Sequence, residues 1–216
     1  MIVKLWSLYL AALQTAPLLT KCLTSAVGFI LGDSIAQLIA KERYNVLRTL
    51  RFATIGFCLH APIADTWFLF LEHNVFPNAP TSMPAVFTKM ALDQLLMAPL
   101  FLVVFFFATK TLEGLPHKLP EVLREQYVKT VLAGYLLWPL AHIINFKFIP
   151  ADLRILYVNC VQVGWNVVLC RMSAGKPAGR VPEPKKYYER RLPAADIEIA
   201  GDRRRSLGQK TKRAPR

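Results

Sequence analysis

Charge is scarce over most of this 216-residue chain. Only 19% of its residues are charged and 54% are hydrophobic, whereas a soluble domain has about 25% charged and about 45–50% apolar residues. The shortage lies in the first 170 residues, which hold 13 basic and nine acidic groups for a net of +4. From Arg171 onward there are 14 basic and five acidic residues, which supply +9 of the formal +13. A body this poor in charge has too little polar surface to cover a water-soluble globule of its length.

Clustered cysteines are also lacking. Cys22, Cys58, Cys160 and Cys170 lie in apolar stretches with no close pair, which argues against a disulfide framework or a zinc site. His60, His73, His117 and His142 are scattered without metal-ligand spacing. No nucleophile elbow, phosphate-binding loop or dinucleotide fingerprint is present. No catalytic residue, metal or cofactor is therefore assigned, and the chain is read as not an enzyme. The opening Met1–Leu13 has one lysine and no cleavage-like site, and the chain ends Ala214-Pro215-Arg216 rather than in a peroxisomal tripeptide. Targeting is expected to be internal.

What is abundant is apolar sequence in blocks. Five segments, roughly Ala16–Ala40, Thr49–Leu71, Ala85–Thr109, Tyr127–Phe146 and Leu153–Met172, each approach the ~20 residues with which a helix crosses a bilayer. The expected fold is all-α, a multi-span transmembrane helix bundle. It has four spans, with a fifth apolar segment either spanning or lying at the interface. The bundle is expected over 1–173, followed at 174–216 by a basic tail too polar and proline-rich to bury a core. Such a tail is attracted to anionic headgroups, and no direct nucleic-acid binding is expected. The charged joint Lys41–Arg51 carries +3, but charge bias alone leaves the orientation open.

Asp33, Asp65 and Asp93 fall inside the first three segments. At a bilayer centre each would cost about 2.5–3.5 kcal/mol if it faced lipid, so they are expected to point inward. Asp33 and Gln37 are four apart and share a helix face, as do Lys89 and Asp93, a spacing suited to an ion pair. Gly134, Trp138, His142 and Asn145 form one stripe, and Asn159, Gln162 and Asn166 another beside Trp165. The expected polar inner face is Asp33, Gln37, Asp65, Asp93, Gln94, His142 and Asn145. Pro62, Pro99, Trp138 and Pro139 are expected to shape it, the prolines by kinking their helices. Gly28, Gly32, Ala36 and Ala40 offer a small-residue face for helix approach. Interhelical glue and a hydrated path are both open readings of these stripes.

The order of these residues resembles the Mpv-seventeen / twenty-two-kilodalton peroxisomal membrane protein family from Trp6 to about Ser173. Trp6-x-x-Tyr9, Pro17-x-x-Thr20 and Gly32-Asp33-x-x-x-Gln37 open the match. It continues through Arg48-x-x-Arg51, Gly56, Pro62, Trp67, Lys89-x-x-x-Asp93-Gln94 and Pro99. The most specific stretch runs Trp138-Pro139, Asn145-Phe146, Ile149-Pro150, Arg154 and Trp165-Asn166. Gly134 stands where the family usually has Asn, His142 where it has Gln, Phe68 where it has Tyr and Cys170 where it has Ser, and the basic tail extends past the usual end.

The resemblance implies an organelle membrane protein of four spans, in the mitochondrial inner membrane or alternatively the peroxisomal membrane. Some relatives act as weakly selective channels for small solutes, and others are linked to mitochondrial DNA maintenance. The expected function is thus transport of small solutes or metabolites through a weakly selective channel. The alternative is a non-conducting membrane scaffold that supports organelle organisation or mitochondrial DNA maintenance. Expected partners are membrane lipids and small solutes, with a homo-oligomer as an open arrangement. The opening motif favours the mitochondrion.

Overall fold

A computed structural model gives an all-helical fold and describes residues 2–41 and 43–174, with side chains described for 3–41 and 43–166. The helices are α1 (Ile2–Thr15), α2 (Pro17–Ala40), α3 (Val46–Asn74), α4 (Met83–Leu112), α5 (Pro116–Gly134), α6 (Trp138–Phe148) and α7 (Arg154–Ala174). No strand occurs among the described residues. The basic tail expected at 174–216 lies outside them, apart from Ala174 at the end of α7, as does the side chain of Cys170.

α2, α3 and α4 contain 24, 29 and 30 residues and are long and apolar enough to cross a membrane. α5 and α6 make a fourth span if counted together across a 50° bend. The outer surface is apolar, with Leu136 88%, Leu38 73% and Phe148 71% exposed. Only 11% of the most apolar stretch of α4 is buried within the chain. Side chains of that kind facing outward fit hydrocarbon as the surrounding solvent.

Inside, one apolar cluster draws on five helices: Cys22 of α2, Phe68 and Leu71 of α3, Val86 of α4, Phe146 of α6 and Ile155 of α7. α6 and α7 lie antiparallel. Trp138 meets Trp165 at 6.4 Å between ring centroids, and the Arg154 guanidinium sits 5.5 Å from the Phe146 ring. α7 runs parallel to α2 along the small-residue face. A Cβ added to Gly28 would stand 2.7 Å from Asn159 Oδ1, and one added to Gly32 would stand 2.0 Å from Asn166 Nδ2. At Gly28 the Asn159 Cβ itself would stand 2.9 Å away, so a larger residue there must displace α7, whereas at Gly32 the end of the Asn166 amide meets it first.

Pro62 and Pro99 do not break α3 and α4 into separate spans. Each follows a π turn, Gly56–His60 or Asp93–Met97, in which Ala61 N–H reaches back to Gly56 O and Ala98 N–H to Asp93 O. These i→i−5 bonds widen the turn and carry the carbonyls away from the proline ring, relieving the usual clash. The next bond in that register would join residue 99 to the Gln94 carbonyl, and proline has no N–H to make it. The Tyr135 hydroxyl donates to that carbonyl instead, at 3.2 Å.

Of these three, Pro139 stands at a break. Leu136 and Leu137 N–H groups bond three residues back, to Ala133 and Gly134, and the proline then starts α6 within its first turn. The expected segment Tyr127–Phe146 is therefore two helices, beginning earlier at Pro116. The expected Gly134–Asn145 stripe is split, with Gly134 ending α5.

Two substitutions test this packing. Gly32→Leu should destabilise the bundle by about 1–3 kcal/mol through overpacking against α7. Tyr135→Phe should cost about 1 kcal/mol by leaving the Gln94 carbonyl bare. Unfolding in detergent micelles reads both. A Gly32→Leu variant as stable as the parent would mean that α7 does not lie on α2.

Candidate functional site: a polar interior held by ion pairs

An ionised carboxylate in a low-dielectric interior is tolerated when a cation and further donors surround it. Asp33, on α2, is 4% exposed. Gln37 Nε2 and Thr49 Oγ1 both donate to its Oδ2 at 2.7 Å, and Arg48 Nε lies 2.8 Å from Oδ1 as an ion pair. Gln37 Oε1 also accepts from Asn45 N–H at 2.6 Å, while Asn45 caps α3 by accepting from Arg48 N–H at 3.0 Å. The short α2–α3 joint is thereby tied to the acid inside the bundle.

Asp65 of α3 is held by Lys21 of α2, with Nζ 2.6 Å from Oδ1. A neutral hub lies nearby in sequence. Ser25 Oγ is 2.6 Å from His60 Nδ1 and 3.3 Å from Asn159 Oδ1, joining α2, α3 and α7 without net charge.

Asp93 sits in the π turn of α4. Trp67 Nε1 of α3 donates to its Oδ1 at 2.9 Å, Gln94 Nε2 donates to its Oδ2 at 2.9 Å, and His142 Nε2 of α6 stands 3.2 Å from Oδ2. Trp138 and Phe146 flank the His142 ring at 5.6 and 5.5 Å, and Phe68 meets it edge-on at 6.0 Å. Three residues further along α6, the Asn145 side chain is wholly buried. Its Nδ2 and Oδ1, like His142 Nδ1, have no hydrogen-bond partner among the described residues.

The Lys89–Asp93 ion pair expected from their spacing does not form. Lys89 Nζ instead reaches across to Glu72 of α3 at 2.6 Å and to the Pro80 carbonyl at 3.1 Å. Arg154 of α7 shares the same carboxylate at 2.9 Å. Spacing of four places two side chains on one face, but here that face meets a second helix carrying an acid, and Asp93 is already supplied by Trp67, Gln94 and His142.

The expected inner-face residues thus enter the interior in groups. Asp33 binds Gln37; Asp93 binds Gln94 and approaches His142; Asp65 goes with Lys21; the Asn145 amide stands unbonded. Of the shaping residues, Trp138 packs on His142, whereas Pro62 lines an outward apolar groove of about 590 Å³ with Ile63, Thr66, Trp67, Phe70 and Met97. Sequence reading passed over Lys21 and Glu72. Their signal is an ion of opposite sign within an apolar block, but partners 44 and 82 residues away cannot be read from spacing.

Glu72 serves two cations, so Glu72→Gln should cost on the order of 3 kcal/mol by stranding Lys89 and Arg154. The more exposed pair Lys110–Glu113, spaced i,i+3 at 2.6 Å, should lose less than about 0.5 kcal/mol on Glu113→Gln. Equal costs in micelle unfolding would contradict this ordering.

A family model described as Mpv17 / PMP22 family matches residues 110–170. Protein sym-1 of Neurospora crassa is 35% identical over 167 residues, covering 76% of this chain and 95% of the relative. PXMP2/4 family protein 4 of Dictyostelium discoideum is 30% identical over 172 residues, covering 77% and 91%. The protein named mitochondrial inner membrane protein Mpv17 of Drosophila melanogaster is 32% identical over 149 residues, covering 67% and 88%. None of the three is named for an enzyme, and no solved structure matches the chain. With relatives at 30–35% identity aligned over nearly their whole length, this chain belongs to the Mpv17 / PMP22 family of organelle membrane proteins.

Proposed function

We propose that this protein is a weakly selective channel for small solutes, with its path through the interior between α3, α4 and α6. The observation that carries this reading is the unmet polarity of α6. The buried Asn145 amide and His142 Nδ1 lack partners beside the Asp93 carboxylate. A buried polar group without a bond costs about 1–3 kcal/mol, a poor arrangement for inert glue but a suitable one for groups that receive water or a passing solute. The ion pairs Asp33–Arg48, Lys21–Asp65 and Glu72–Lys89 close the bundle around them. The membrane is the mitochondrial inner membrane, the location in the name of the Drosophila relative. The basic segment after residue 174 supplies attraction to anionic headgroups there.

Purified protein in planar bilayers tests the channel. Ohmic conductance that shifts with Asp93→Asn is the expected result, because removing that charge alters the field in the path and releases His142. Silent bilayers, from protein that retains its helical circular dichroism, would favour the non-conducting scaffold.

A further inference from the structure

Resting on the channel reading, we infer that His142 and Asn145 form a hydrogen-bonding subsite for uncharged, hydroxyl-bearing solutes, with Asp93 as the residue that positions His142. His142 Nε2 stands 3.2 Å from Asp93 Oδ2. A bare nitrogen lone pair facing a carboxylate at that range is repulsive, so Nε2 carries a proton. A second proton on Nδ1 would be a charged donor buried without a partner, so Nδ1 is left as an acceptor. Asn145, three residues along the same helix face, offers an unused donor and an unused acceptor. Together they match a hydroxyl group, which donates to the imidazole and accepts from the amide.

The subsite offers a strongly charged guest no free countercharge. Asp93 is already supplied by Trp67, Gln94 and His142, and Lys89 is committed to Glu72 and the Pro80 carbonyl. Arg154, over the Phe146 ring, gives Nη1 to Glu72, and its Nε has no partner among the described residues. The Trp138, Phe146 and Phe68 rings around His142 give apolar faces against which the C–H side of a polyol packs. The substitution His142→Gln would reproduce the two-sided pattern, since a glutamine amide can donate to Asp93 while its carbonyl accepts from the solute.

The test uses the full chain in proteoliposomes, comparing influx of erythritol with that of chloride by light scattering. His142→Leu and Asn145→Leu should each lower the erythritol-to-chloride influx ratio about tenfold, the effect of one lost hydrogen bond. His142→Gln should stay near the parent. An erythritol-to-chloride ratio unchanged in both leucine variants would overturn the subsite while leaving the channel intact. Wild-type vesicles that pass neither solute would instead sink the channel reading. Nitrogen-15 histidine spectra in micelles then decide the subsite separately. The signal absent from His142→Gln should move as erythritol is added and stay fixed with chloride; a signal unmoved by erythritol would overturn the inference.

Discussion

Lys21 Nζ and Asp65 Oδ1 meet at 2.6 Å between two helices whose outer faces are leucine, valine and phenylalanine. In water such a pair would be worth little. In hydrocarbon neither member can be left alone, because an unpaired charge there costs several kcal/mol. The helices must therefore come together in the one register that joins them. The same condition governs Asp33 with Arg48 and Glu72 with Lys89 and Arg154, while Asp93 is met by the neutral donors Trp67, Gln94 and His142. Together these contacts connect α2, α3, α4, α6 and α7. Dispersion packing in a membrane discriminates weakly between registers, since lipid tails are as apolar as the core. The ion pairs supply the discrimination.

Small residues and prolines serve the same end. Gly28 and Gly32 let α7 approach α2 closely enough for Asn159 to reach Ser25. The π turns before Pro62 and Pro99 place His60 and Asp93 in the interior while their helices continue. The carbonyl that Pro99 leaves free is met by Tyr135, as a backbone without water requires. Among the described residues, the buried side-chain atoms without a hydrogen bond are Arg154 Nε, the ion-paired Asp33 Oδ1, and three atoms of His142 and Asn145 on α6.

Much of this was legible in the sequence, wherever the relevant geometry is local. Apolar blocks near the length of a span give the helix bundle. Asp33 and Gln37, four apart, do bond to one another as their shared face suggests. Where a partner lies on another helix, spacing misleads. Lys89 is as well placed for Asp93 by count as Gln37 is for Asp33, yet it turns to Glu72, which no periodicity marks. The π turns were invisible for a similar reason. A proline in an apolar run announces a lost bond, but whether the chain bends there, as at Pro139, or widens by one residue, as before Pro62 and Pro99, depends on what packs around it. Tyr135, far along the chain, is one such neighbour.

The most direct test is a charge exchange across α2 and α3 in lipid nanodiscs. Lys21→Asp and Asp65→Lys should each destabilise the protein by about 3–5 kcal/mol. The double exchange should recover most of that loss, a strong coupling between two residues in contact. A double variant no more stable than the sum of its singles would show that the pair does not set the register of these helices in hydrocarbon.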